Sequence, residues 1–358
     1  SLADRGHEIH IIAAVPKKFV LEYPNVVLQR VKSVSGAMFY PDYRLAYPFN
    51  SRIHRYAKEQ NFDIVHFHTP LGLGRLAAGV ARRNRLPLIG TYHTSVDSRE
   101  YRAHWKMKSR IFDRIMRTYI DYFYRPCDLV SVPTSAYAAE VKALGLHYPT
   151  RVISNGIDLK KFPKVDAGEI RARYPGKIVL SVGRVAREKN LPFLLDTWSH
   201  LQDEAHLLIV GGGPMEGELR ERVRKQGLKN VHLLGMVPHE ELILSGYHRA
   251  ADVFVMTSMI EVQGLALMEA QAAGLPAVGI NSGGTKDLIV DGENGFLVEP
   301  GDKEGFVKAI RRLLNDNVLR DRMRDATLQE IKKHDLRHIA EVWEEIYLEL
   351  AGSGSDGP

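Results

Sequence analysis

Short apolar runs rich in β-branched residues recur along this chain with helical patterns between them, and that alternation limits the fold more than any other feature. In the first half they are Glu8 to Ala13, Asp63 to His66, Pro87 to Tyr92 and Asp128 to Pro133. In the second they are Lys177 to Val182, His206 to Val210, Asn230 to Leu234, Asp252 to Met256 and Pro276 to Ile280. Apolar strands joined by helices predict parallel sheets covered on both faces, an α/β architecture. A chain of 358 residues exceeds one comfortable core, so the alternation is expected to divide into two similar halves with a cleft between them. The Asn155-Gly156 turn and Pro163 punctuate the chain and place the boundary near Phe162. That gives one domain over 1–162 and a second over 163–351, with the Gly/Ser-rich 352–358 read as a linker scar. The opening residues, SLADRGHEIHIIAA, read as a helix end closed by Gly6 and then a strand, as if an earlier strand and glycine-rich loop were missing.

Ligands of parallel sheets gather at the carboxyl ends of the strands, so the loops there hold the candidate site. After Asp252 to Met256 the strand ends at Thr257 and Ser258. From Gly264 on, Leu265, Met268, Ala272 and Leu275 repeat at helical spacing, with Gly274 and Pro276 as the stop. Glu261 therefore falls in a strand-to-helix loop and Glu269 inside the helix. A helix starting at Gly264 aims free N–H groups and its positive dipole end at the loop, an anion site for which phosphate is the obvious candidate. After KIVLSV comes Gly183-Arg184, with Lys189 following. A guanidinium fork and an ammonium at a strand end can share a diphosphate, or simply solvate a surface loop. Gly211-Gly212-Gly213-Pro214 lets backbone approach a ligand or pack tightly, and does not match the dinucleotide fingerprint.

In the first half the strand ends bring His66, His68 and Thr69, then Tyr92, His93 and Thr94. Without an acidic partner in sequence these histidines read as a polar cleft lining rather than a metal site, with His93 the candidate for contact with a reacting group. No Asp-x-Asp pair occurs, so a bound diphosphate is expected to be neutralised by the protein's own positive groups without a metal.

The charge balance, 49 Lys and Arg against 43 Asp and Glu, mildly favours anionic ligands or surfaces. The single Cys127 excludes intrachain disulfides and multi-cysteine metal sites and suits a reducing cytosol, where it serves as a small buried hydrophobe. No apolar run approaches the roughly 18 residues that span a bilayer, so membrane contact would be peripheral. Residues Arg99 to Arg125, including Trp105, Lys106, Lys108 and Arg110, interleave basic and aromatic side chains. Within them Ile111, Ile115 and Tyr119, with Phe112, Met116 and Phe123, mark an apolar stripe at helical spacing. This is either a core-packed helix with a solvated basic face or an interfacial segment drawn to anionic lipid. No nucleic-acid-binding signature accompanies it.

GRVAREKN, GGGP, Glu261 to Glu269 around Gly264-Leu265, EAQAAGLPAV and DGENGFLVEPGD, with HTPLGLG, TYHT and SNGID earlier, occur in an order and spacing that resembles retaining glycosyltransferases of family 4. The resemblance implies the GT-B fold, two Rossmann-like domains with parallel sheets facing across a cleft, the nucleotide sugar bound mainly by the second and the acceptor by the first. It also implies roles. Arg184 and Lys189 would bind the donor diphosphate and stabilise the leaving nucleoside diphosphate, and Glu261 would hold sugar hydroxyls. Gly264 and Leu265 would offer backbone N–H groups to phosphate, Glu269 would bind ribose, and Met236 would lie by the nucleobase. Gly183, Gly213 and Gln263 would complete the donor pocket, and His93 would meet the transferred sugar from the opposite domain. Gln263-Gly264-Leu265 is similar to members that glycosylate diacylglycerol. With the basic aromatic segment, that implies a UDP-sugar donor, a lipid acceptor such as diacylglycerol, an anionic membrane surface as partner and a peripheral position on the cytoplasmic face, with no metal or cofactor. A soluble sugar or metabolite acceptor, or a catalytically impaired nucleotide-sugar or anionic-lipid binding module, are the alternatives.

Overall fold

A computed structural model of the chain describes residues 1–16, 18–35, 44–47, 50–93, 110–143, 145–162 and 165–353, with the side chains of 110–113, 116 and 353 excluded. The fold separates into two compact units. One comprises Ser1–Asp97, Tyr101–Ser154 and Arg337–Pro358, and the other is built on Asn155–Leu336. Where the sequence puts the break near Phe162 and keeps the last helices with the second half, packing divides the chain at Ser154 and Asn155 and gives the C-terminal helix, Leu336–Ser353, to the first unit from Arg337 on. The reason is a shared core: Ile339 and Ile346 of that helix are buried with Ile89, Leu129 and Ile153. The helix also continues to Ser353, into the stretch set aside as a scar.

In the first unit the strands are β1 (Ile9–Ala13), β2 (Val26–Arg30), β3 (Ser33–Ser35), β4 (Arg44–Ala46), β5 (Val65–Phe67), β6 (Leu88–Thr91), β7 (Leu129–Val132) and β8 (Thr150–Val152). β5 to β8 form a parallel sheet in sequence order, β1 and β2 a parallel pair and β3 and β4 an antiparallel one. Gly6 does close a short helical turn, Ala3–Arg5, in the left-handed conformation (φ 97°). In the helix Arg110–Tyr124 the expected stripe is described at Ile115, 54% exposed, and at Tyr119 and Phe123, both half-buried, while the side chains of Ile111, Phe112 and Met116 lie outside the described residues; beside it Ile120 and Tyr124 are buried and Tyr122 is 55% exposed.

The second unit is one parallel sheet of β9 (Ile178–Val182), β10 (His206–Val210), β11 (Val231–Gly235), β12 (Val253–Met256), β13 (Ala277–Ile280) and β14 (Gly295–Val298), in the order β11-β10-β9-β12-β13-β14. Alternate residues of each strand enter opposite cores, as the two-residue repeat of a strand requires. Val179, Leu207, Ile209, Val253 and Val255 pack with Leu194, Trp198, Phe306 and Ile310, while Ile178, Leu180, Leu208, Phe254 and Met256 pack with Ile170, Leu242, Leu267 and Met268. Both faces are covered, which is why these strands read as unbroken apolar runs.

One buried group in this unit titrates. His248, 3% exposed, has no hydrogen-bond partner for either ring nitrogen among the described residues. Burial, with His239 nearby, pushes its pKa down to about 4. In the unfolded chain it returns to about 6.5, so the unfolded state binds a proton the folded state does not. Stability is therefore unaffected by this group above pH about 6.5, falls on acidification and has lost roughly 3 kcal/mol by pH about 4. His248→Leu should flatten the pH dependence of the urea midpoint over that window, and an unchanged slope would assign it to other groups.

Candidate active site

β9 and β12 lie side by side at the centre of the second sheet, where the strand order reverses. Helices on either side diverge at such a switch point and leave a crevice beyond the strand ends. The pocket found there is lined by Ser181, Gly183, Arg184, Lys189, Met256, Thr257 and Ser258. The loops after β9 and β12 line it, and the loop after β10 braces the first of these from behind. Gly183 N–H bonds to Val210 O at 3.0 Å and Val185 N–H to Gly212 O at 2.9 Å, which docks the loop after β9 onto the loop after β10. Side chains would prevent this. A Cβ on Gly211 (φ 141°) would collide with the Gly183 carbonyl, and one on Gly213 would lie 2.8 Å from Val185 C. Of the two readings that the sequence left open for GGGP, the structure shows close loop packing.

The charged groups are already paired. Lys189 Nζ lies 2.6 Å from Glu261 Oε2, with the side chains only 21% and 14% exposed, and Thr257 Oγ1 donates to Lys189 O at 2.8 Å. Arg184 Nη2 meets Glu188 Oε1 at 2.5 Å in a more exposed pair. The loop after β12 ends at Gly264, whose left-handed conformation (φ 65°, ψ 58°) turns the chain into the helix Leu265–Ala272 without a side-chain cap. The first turn of that helix thus keeps N–H groups available for a ligand. Inside the helix Glu269 is 13% exposed and its Oε1 lies 2.6 Å from His239 Nε2. Met236, just past β11, is 81% exposed. Gln263 is buried, and its Oε1 accepts the Asn155 backbone N–H at 2.6 Å.

His93 belongs to the first unit. Its Nε2 is 3.0 Å from His68 Nδ1, with the two rings stacked at 5.3 Å. His66 is held at both nitrogens, by Tyr347 Oη at 2.7 Å and Thr91 Oγ1 at 2.6 Å. Burial, and then the neighbouring histidines, push His66 well below the usual imidazole range, and burial lowers His93 as well. These rings are neutral at neutral pH and bond to one another and to hydroxyls. Among the described residues no group of three or more His, Cys, Asp or Glu is arranged to hold a metal ion. Trp105, Lys106 and Lys108 lie outside the described residues, and Arg110 is described only as the backbone start of its helix.

The model for Glycosyltransferase Family 4 matches residues 1–161, and that for Glycosyl transferases group 1 matches 168–330. The chain belongs to these glycosyltransferases. Among curated relatives, a sulfoquinovosyl transferase of Arabidopsis thaliana is 32% identical over 288 residues, covering 77% of this chain and 54% of that protein, so the chain spans about half its length. An alpha-monoglucosyldiacylglycerol synthase of Streptococcus pneumoniae is 29% identical over 310 residues, 83% of this chain and 69% of that one. Among solved structures, Anabaena HepE in complex with UDP superposes with a TM-score of 0.73 at 22% identity, over 91% of this chain and 86% of that one. This places the glycosyltransferase in the GT-B fold, with two Rossmann-like parallel-sheet domains.

In this glycosyltransferase the structure brings Lys189 and Glu261 into one ion pair, sets Arg184 on the same pocket wall and starts the Gly264 helix from the loop that bears Glu261. It seats Glu269 against His239 instead. Glu188, His239 and Asn155 are contacts that sequence reasoning missed. Glu188 could have been found as the i,i+4 neighbour of Arg184. His239 and Asn155 gave no local signal, because their partners are remote in sequence.

Proposed function

We propose that this glycosyltransferase moves a hexose from a UDP-sugar to a membrane lipid such as diacylglycerol, with retention of anomeric configuration and without a metal ion. The observation that carries the reading is the joint placement of Lys189, Arg184 and the Gly264–Glu261 loop at the switch point of the second sheet. As the glycosidic bond breaks, negative charge grows on the departing diphosphate, and fixed positive groups lower the barrier by stabilising that charge as it develops. Lys189, Arg184 and the helix start at Gly264 and Leu265 are those groups, and they make a divalent cation unnecessary.

Glu261 gives one oxygen to Lys189 and has lone pairs to spare for sugar hydroxyls. It acts as a hydroxyl acceptor and not as a covalent nucleophile. The acceptor attacks from the face the diphosphate leaves, and the diphosphate takes its proton. Glu269, oriented by His239, receives ribose hydroxyls, and the backbone of Met236 lies by the base.

UDP is favoured by the Gln263-Gly264-Leu265 pattern and by the UDP seen in the HepE complex. A lipid acceptor is supported by the relative named for monoglucosyldiacylglycerol synthesis. It is also supported by the outward face of Arg110–Tyr124, where Ile115 and Tyr122 are exposed beside Arg114 and Arg117. Such a face suits the headgroup region of an anionic membrane. No helix among the described residues is long and apolar enough to cross a membrane; contact through this face would be peripheral, and its basic side chains suit the anionic cytoplasmic leaflet.

The test is transfer from radiolabelled UDP-glucose and UDP-galactose to vesicles of diacylglycerol in phosphatidylglycerol, with chelator present. Labelled glycolipid is the expected product. Transfer only to water-soluble acceptors would remove the lipid, and neither transfer nor donor hydrolysis would remove the enzyme reading.

A further inference from the structure

Gln263 stands out because it is buried, polar and bonded away from the pocket beside it. Only 3% of it is exposed, and its side-chain oxygen accepts the N–H of Asn155 at 2.6 Å. Asn155 opens the Asn-Gly turn that punctuates the sequence, and it is the residue at which the chain enters the second unit. Directly after it, Ile157 donates to His334 O at 2.8 Å and accepts from Leu336 N–H at 2.9 Å, as a parallel bridge to Asp335. The chain leaves the unit at Leu336. Entry and exit segments of this unit therefore run side by side, and Gln263 ties the Glu261–Gly264 loop to them.

The rest of that loop is fastened in the other direction. Met259 N–H bonds to Glu188 O at 3.2 Å, Ser282 Oγ to Met259 O at 2.5 Å, and Gly284 N–H to Glu261 O at 2.7 Å. All three partners sit in loops at the carboxyl ends of neighbouring strands. The stretch from Glu261 to the left-handed Gly264 is thus held between the strand-end loops and the entry segment. A shift at either end changes where the Glu261 carboxylate and the first N–H groups of the helix point.

We propose that Gln263 is a positioning residue whose bond to Asn155 N–H fixes the donor loop and makes donor occupancy felt at the entry segment of the unit. This rests on the reading of the Gly264 helix start as the diphosphate site. A ligand that prefers one arrangement of the loop stabilises, by reciprocity, every bond that favours that arrangement. Asn155 N–H is one end of such a bond and is directly observable by hydrogen exchange.

The experiment follows amide exchange at Asn155 and Ile157 with and without UDP and GDP, beside calorimetric affinities. In the unaltered chain, the nucleotide that binds should slow exchange at Asn155 on the order of tenfold. Gln263→Leu, which fills the site but cannot accept, should lose that slowing and bind roughly tenfold more weakly. Gln263→Glu keeps an acceptor oxygen and should restore the slowing at saturating nucleotide, while its buried charge beside the diphosphate keeps affinity low. Unchanged affinity in Gln263→Leu, or nucleotide binding that leaves Asn155 exchange unaltered, would overturn the proposal. Should Gln263→Leu fail to fold, the unaltered chain and Gln263→Glu still decide, because slowing must be present in both. Failure of the underlying donor-site reading looks different: neither UDP nor GDP binds the unaltered chain, and the proposal falls with it.

Discussion

Lys189→Met should lower kcat/KM by about 10²- to 10³-fold, with most of the loss in kcat, as expected when a fixed group facing developing charge is removed. The side chain length is kept, so the pocket wall formed with Gly183, Met256 and Thr257 retains its shape while the ammonium is lost. A second consequence comes from the pairing. Glu261, 14% exposed, loses the ammonium 2.6 Å from its Oε2, and a part-buried carboxylate without its partner repels the incoming diphosphate. Lys189→Met should therefore bind UDP more weakly as well, whereas Lys189→Met/Glu261→Gln should recover part of the UDP affinity without recovering turnover. Initial rates over a range of donor concentrations and UDP calorimetry on the two variants check this. Full turnover in Lys189→Met would remove the residue from the site.

Gly211→Ala should cost stability on a scale that few single changes reach, about 3 kcal/mol or more by urea unfolding. Two effects add. The backbone at φ 141° is a conformation that L residues rarely adopt, and the new methyl would collide with the carbonyl of Gly183. Relief requires moving the loop that bears Arg184 away from the loop after β10, so UDP binding should weaken along with the fold. Gly217→Ala supplies the contrast. Gly217 lies in the helix Glu216–Lys225 with open space around its Cβ position. That change should stabilise by about 0.5–1 kcal/mol through helix propensity alone. Equal effects from the two substitutions would show that the loop contact is not what requires glycine at position 211.

Legibility in the sequence follows how far each interaction reaches along the chain. The core strands of the second sheet could be read because both faces are buried, and burial on both faces leaves a run of apolar residues in the sequence itself. β14 went unread, since Gly295–Val298 is brief and sits inside a turn-rich motif. The stripe on Arg110–Tyr124 left a core face and an interfacial face both open, and Ile115 is exposed: periodicity shows that a face is apolar, not whether another element covers it. At the site, residue identities followed from motif order, but their pairings did not. Lys189 and Arg184 read as free positive charges, and each is held by a carboxylate.

The alternation of strands and helices, the two-part organisation, the strand-end loops and the glycosyltransferase motifs on them are each written in a window of a few residues, where periodicity, turn chemistry and residue order act locally. The sheet order that sets β9 beside β12, and so opens the pocket, exists only in the folded molecule. Tertiary structure also gave the C-terminal helix to the first unit, and brought Lys189 to Glu261, Glu269 to His239 and Gln263 to Asn155. Those contacts join residues far apart in the chain. Their geometry is fixed by how whole strands and helices pack, which no local pattern specifies.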